Sequence, residues 1–139
     1  MRKKQDNTIT LQSFSDKARG DLYVGEAKRN IPFQVKRFYV ITHIPDSKVI
    51  RGAHAHRKIE QVMFCVRGSC LVRMDDGKKK WEVRLTRPEE GLYIGSGIWH
   101  DFTGCSPDTV ILMVASGYYS ETDYIRDYPA FLKFIQAKR

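Results

Sequence analysis

Two histidines one residue apart, His54 and His56 in the stretch RGAHAHRKIEQ, are the residues of this chain best suited to chemistry. An imidazole has an unperturbed pKa of about 6.5, so it can serve as base or acid near neutrality, and it is also a common metal ligand. If the stretch is a strand, alternation sends both side chains to one face, which in a small barrel can be the interior. A second segment, GLYIGSGIWHDFTG, brings His100 after a glycine-rich turn. Three of the four histidines thus fall in two β segments able to face each other. The fourth, His43, sits in the loop-like THIPDSK and is assigned no role.

Short β-rich runs must position these groups: LYVGEA, FQVKRFYVIT, QVMFCV, CLVRM, WEVRL, GLYIG and TVILMVAS. Glycine, proline and aspartate punctuate them, as expected of an all-β barrel or sandwich. In MDDGKK, Asp76 and Gly77 suit a type I′ hairpin turn. Only the tail SETDYIRDYPAFLKFIQ reads as helical, with Ser120 as N-cap and Pro129 limiting its continuity. Its apolar spacing suggests docking on the barrel rather than catalysis.

The 139 residues are expected to form one domain, 1–139, large enough for a core without disulfides or a structural metal. Cys65, Cys70 and Cys105 are odd in number and lack CxxC spacing, so they read as reduced core thiols. The first residues lack the apolar region of a signal peptide, and no run approaches the roughly 18 apolar residues that span a bilayer. A cytoplasmic protein without membrane contact is expected. Lysine and arginine outnumber aspartate and glutamate by 24 to 16, giving a formal charge of +8. Part of that excess lies in MRKK, GKKK and QAKR, where charges are usually solvated. No nucleic-acid-binding motif accompanies it, and a small anionic substrate such as a nucleotide diphosphate suits the scattered arginines better.

The spacing of His54, His56, Gln61 and Gly68 resembles the first cupin motif, and that of Gly95, Gly97 and His100 resembles the second. Metal cupins typically carry glutamate where this chain has Gln61 and proline where it has Gly95. Glu60 is adjacent, but in an alternating strand it faces the other way. Three neutral imidazoles with an amide lack the anionic ligand that oxygen-activating iron sites generally use; a three-histidine zinc site stays open to them, but the reading is that no metal and no cofactor are needed. The blocks NIPFQVKRFYVI, RGAHAHRKIEQ, GLYIGSGIWHDF and ASGYYSETDYIRDYPAF together resemble the cupin-type dTDP-4-keto-6-deoxy-D-glucose 3,4-ketoisomerases, a WxcM-like and RmlC-like group, from about residue 18 to residue 135.

That resemblance implies an all-β cupin jelly-roll barrel with a short C-terminal helical segment. It also implies a homodimer that moves the carbonyl of dTDP-4-keto-6-deoxy-D-glucose from C4 to C3 in deoxysugar biosynthesis. Such a reaction needs one proton removed from C3 and one delivered to C4, without redox. By resemblance His54 and His56 carry the transfers, His54 as base and His56 shuttling or positioning, while Tyr39 bonds the developing enediolate. By residue type alone Tyr39 reads as a core aromatic. Arg51 and Arg37 are expected on the pyrophosphate. Gln61 is expected on a sugar oxygen or a histidine tautomer, and His100 in the same cavity. Trp99 and Tyr93 read as packing residues. The same residues also admit a metal-dependent cupin enzyme, a non-catalytic sugar-binding cupin, or a 3,5-epimerase using the same substrate.

Overall fold

Alternating apolar residues and turn chemistry yield two antiparallel five-stranded sheets in the computed structural model, which describes residues 7–138. The basic run at residues 1–4 lies outside the described residues. The strands in chain order are β1 (Thr8–Thr10), β2 (Gln12–Asp16), β3 (Gly20–Val24), β4 (Arg37–Ile41), β5 (Arg51–His56), β6 (Gln61–Arg67) and β7 (Cys70–Asp75). They continue with β8 (Lys80–Leu85), β9 (Glu90–Ile94), β10 (Trp99–Thr103), β11 (Val110–Ala115) and β12 (Tyr124–Ile125), and the helix α1 (Tyr128–Ala137) closes the chain. One sheet runs β1-β9-β6-β11-β4 and the other β12-β5-β10-β7-β8, while β2 and β3 form a separate ribbon. This is the jelly-roll barrel with a C-terminal helix that the sequence led us to expect.

The core lies between the sheets and is built by alternation. Met63 and Cys65 of β6, Val72 and Met74 of β7, and Ile111 and Met113 of β11 all point into it. The three cysteines are buried in this cluster. The opposite side chains of β6, Val62 and Phe64, pack outward under Ile31 and Phe33 from the segment before β4. The strand expected over FQVKRFYVIT therefore begins only at Arg37, because Phe33 is used as a cover for the sheet. A third small cluster, Ala55, Ile125 and Phe131, fastens α1 to β5 and β12.

Two local expectations are corrected. The MDDGKK hairpin exists, with Asp75 opposite Lys80, but its loop is longer than the two-residue type I′ turn. Only Gly77 takes a positive φ, of 92°, and the Asp76 carboxylate accepts the Lys78 and Lys79 amides instead. The tail is not one helix capped by Ser120. A 3₁₀ turn over Glu121–Asp123 has no side-chain cap from Ser120, β12 follows, and α1 starts at Tyr128 with Asp127 accepting the Ala130 amide. Pro129 falls in the first helical turn, where its missing N–H costs nothing, so it starts the helix rather than interrupting it.

Candidate active site

The histidines are set by the pairing of β5 with β10. His54 lies opposite His100, and β10 is flanked on its other side by β7, with Met74 opposite His100. Between His54 and Gly52 the register slips by one residue. Ala53 is left unpaired at φ 61°, next to Gly52 at φ 94°, which is the geometry of a β-bulge. Plain alternation would turn Arg51 away from His54. The bulge reverses that parity, so Arg51 lies opposite Phe102 and lines the same cavity as His54. A side chain at Gly52 would meet the Asp101 Cα and His100 carbonyl at 3.1 Å, so glycine permits the close approach of the two strands.

The three imidazoles form one wall. Ring centroids are 5.0 Å apart for His54 and His56, 4.7 Å for His54 and His100, and 6.2 Å for His56 and His100. Both ring nitrogens of His54, and Nε2 of His56, are buried without a hydrogen-bond partner among the described residues. His56 Nδ1 lies 3.0 Å from Asp123 Oδ2, and His100 Nδ1 lies 3.1 Å from the Ile98 carbonyl. Burial, reinforced by His100, lowers the His54 pKa to about 4. Burial and the neighbouring His54 lower His56 to about 4 against the opposing pull of Asp123, and burial alone dominates the lowering of His100 to about 4. At neutral pH the wall is uncharged, and each imidazole presents one N–H and one nitrogen with a lone pair.

A cavity of about 520 Å³ opens beside this wall, lined by Arg37, Tyr39, Arg51, His54, His100 and Arg126 among others. A larger hollow of about 670 Å³ lies outside the barrel against β7, β8 and Tyr128 and contains no histidine. Arg37 and Tyr39 share a face of β4, as expected, with the guanidinium 5.2 Å from the Tyr39 ring. Nε and Nη2 of Arg37 are buried without a partner among the described residues, leaving them available to an anion.

Gln61 lies on the interior face, as expected, with a partner that its spacing does not announce. Its fully buried side chain points inward with Met63, but its amide nitrogen donates to the Tyr39 hydroxyl at 2.8 Å, and it is absent from the cavity lining. Its amide nitrogen therefore backs Tyr39, while its amide oxygen is buried without a partner among the described residues. Because the amide occupies the Tyr39 oxygen as acceptor, the phenolic proton is free to point elsewhere. Burial raises the Tyr39 pKa, so the phenol is a donor at neutral pH. Glu60 does face the other way, accepting from Tyr93 at 2.6 Å. Trp99 packs on Tyr128 and Phe131. His43 stays in its loop, bonded to Thr42.

The tail supplies residues that the helical reading missed. Extended pairing of Tyr124 with His56 puts the Tyr124 ring 4.8 Å from His54 and 4.5 Å from His56. Arg126 stacks on Tyr124 at 4.2 Å and is gripped by both oxygens of Glu121. Asp123 is buried beneath His56. The available signal was the block ETDYIRDY itself, distinctive in the resemblance yet read only for its apolar spacing.

The donor set of the wall lacks an anionic ligand aimed into it. The only carboxylate touching the imidazole wall, among the described residues, sits on Nδ1 of His56, and the Gln61 amide is turned to Tyr39. Among the described residues no group of three His, Cys, Asp or Glu side chains has a metal-holding arrangement.

Known proteins share this architecture and its sequence. The family model FdtA, described as WxcM-like, C-terminal, matches residues 4–136. The chain is 47% identical over 131 residues to the TDP-4-oxo-6-deoxy-alpha-D-glucose-3,4-oxoisomerase of Aneurinibacillus thermoaerophilus, covering 94% of this chain and 93% of that protein. The crystal structure of QdtA, a sugar 3,4-ketoisomerase from Thermoanaerobacterium thermosaccharolyticum in complex with TDP, superposes with a TM-score of 0.90 at 37% identity, over 94% of each chain. A variant of QdtA has been solved with TDP-4-keto-6-deoxyglucose. WlaRB, a TDP-quinovose 3,4-ketoisomerase from Campylobacter jejuni, gives a TM-score of 0.87 at 38% identity, over 94% of this chain and 98% of its own. With sequence and fold agreeing along nearly its whole length, the chain belongs to the WxcM-like, C-terminal family of FdtA.

Proposed function

We propose that the chain is a sugar nucleotide 3,4-ketoisomerase that converts dTDP-4-keto-6-deoxy-D-glucose into a dTDP-3-keto-6-deoxyhexose. The observation that carries this reading is an uncharged histidine, His54, with no carboxylate partner in the wall of an arginine-rimmed cavity. The neighbouring ketone acidifies the C3–H bond, and His54 takes that proton. Charge then develops on O4, where the free proton of Tyr39 donates a hydrogen bond. In the second half the proton taken from C3 is returned to C4 from the histidine wall, with His56 as shuttle, and the O3 proton passes to O4, so that the C4 carbonyl becomes a hydroxyl and C3 a ketone. C3 is oxidised as C4 is reduced, so no net proton, electron or redox cofactor is consumed. Arg37 and Arg51 hold the diphosphate, and Arg126 adds a third positive group to the same cavity.

The test is proton NMR of chelator-treated protein with dTDP-4-keto-6-deoxy-D-glucose in deuterated water. The expected result is loss of the C3 proton signal and growth of a 3-keto product, and the C4 coupling of product made in ordinary water assigns its stereochemistry. An unchanged substrate, or activity returning only with one added metal, refutes the metal-free reading.

The proposed enzyme works as a homodimer in the cytoplasm, where nucleotide-linked sugars are made. Support for the dimer comes from apolar surface. Phe14 and Leu22 face each other across the β2–β3 ribbon and are 51% and 58% exposed, while Phe38 and Val40 of edge strand β4 are 68% and 53% exposed. An isolated two-stranded ribbon is marginal in water, so a covering surface stabilises it. Sedimentation at micromolar concentration is expected to give twice the chain mass, and Phe38→Asp with Val40→Asp to give the monomer. A wild-type monomer would contradict the assembly.

A further inference from the structure

We propose that Asp123 is a positioning residue that fixes His56 in the tautomer protonated at Nδ1, leaving the Nε2 lone pair in the wall beside His54. The residues are far apart in sequence, and the antiparallel pairing of Tyr124 with His56 brings them together. His56 is 1% and Asp123 8% exposed, and Nδ1 lies 3.0 Å from Oδ2. The same carboxylate accepts the Lys58 amide on Oδ1 at 2.8 Å and the Ile59 amide on Oδ2 at 3.3 Å. Both carboxylate oxygens thus already act as acceptors, so the imidazole is the donor in the shared bond and the proton lies on Nδ1. His56 then has one nitrogen saturated and one free, whereas no carboxylate backs His54 among the described residues. The two members of the motif are therefore unequal: one is oriented from behind by the tail, and the other lines the cavity without a carboxylate behind it.

A purely structural tie between tail and barrel would use the same contacts, so the test must read the tautomer itself. Its activity arm rests on the ketoisomerase reading, but its spectroscopic arm does not. In wild-type protein without substrate at pH 7, long-range ¹H–¹⁵N correlation is expected to show His56 Nδ1 as the protonated nitrogen and Nε2 as the bare one. Asp123→Asn keeps size and shape but has a single acceptor. The Lys58 amide makes the shorter of the two backbone contacts, 2.8 Å against 3.3 Å for Ile59, so the oxygen is expected to stay with it, the new NH₂ to face Nδ1 and the proton to move to Nε2. The variant is expected to show the inverted ¹⁵N pattern, with kcat lowered about a hundredfold and KM changed less than threefold. A wild-type His56 already protonated at Nε2 overturns the proposal, whether or not the variant folds. An inverted pattern with unchanged kcat overturns the catalytic consequence, and a retained pattern in the folded variant overturns the positioning role.

Discussion

His54→Asn is expected to lower kcat about a thousandfold while substrate affinity changes little, within the range of about 10² to 10⁴ for a lost general base. Asparagine nearly fills the imidazole's space and keeps polar atoms in the wall, but it has no group that accepts a proton from carbon. The groups proposed to hold the diphosphate, Arg37 and Arg51, come from β4 and the start of β5 and need no contact with the His54 ring. Binding of TDP by calorimetry should therefore match wild type, whereas exchange of the C3 proton with deuterated solvent should fall with turnover. His56→Asn is expected to fall at least about a hundredfold as well. Removing His54 deletes the acceptor in contact with the cavity, while removing His56 leaves that acceptor beside an empty shuttle. Full activity of the His54 variant would transfer the base to another residue, and lost TDP binding would mean that the imidazole positions the nucleotide.

Much of this site was legible in the sequence because it rests on strand parity. His54 with His56, Arg37 with Tyr39, and Gln61 against Glu60 all follow from side chains alternating along a strand, and the structure places them as that rule requires. Where the site departs from the rule, one unpaired residue or one long-range contact decides. Arg51 faces the cavity only because Ala53 is bulged, and nothing in RGAHAH other than its glycine announces that. The tail departs from a helix because Tyr124 and Ile125 pair with β5 from nearly seventy residues away. Helix propensity is a local quantity, and here tertiary pairing overrides it. Gln61 was correctly placed on the interior face, but a neighbouring strand supplied Tyr39 as its partner, which spacing within one strand does not reveal.

Acid should unfold this protein earlier than its carboxylates alone would dictate. His54, His56 and His100 have folded pKa values of about 4 against an ordinary 6.5, because each would have to carry its charge in a buried wall beside the other two. Between about pH 6.5 and 4 the unfolded chain therefore binds more protons than the folded one, so the free energy of unfolding rises with pH across that window. The stabilising contribution is complete above 6.5 and is lost as the pH falls through about 4. A tenfold weaker proton affinity in the folded state corresponds to about 1.4 kcal/mol, so the three histidines together contribute several kcal/mol, and protonating one makes the next harder. Glu121, held near 2 by Arg126 and the Tyr119 hydroxyl, titrates below this window. Urea midpoints are expected to be flat from pH 8 to 7 and to fall steeply from 6 to 4.5, and the double variant with His54 and His100 changed to Asn should flatten that slope. While the fold survives, kcat/KM should keep its plateau to about pH 5, since a base with a pKa of about 4 is still unprotonated there. A rate loss centred at 6.5, or a urea midpoint unchanged between pH 7 and 4.5, would show that the histidines are solvated in the folded protein, and the uncharged wall on which the proton transfers depend would have to be abandoned.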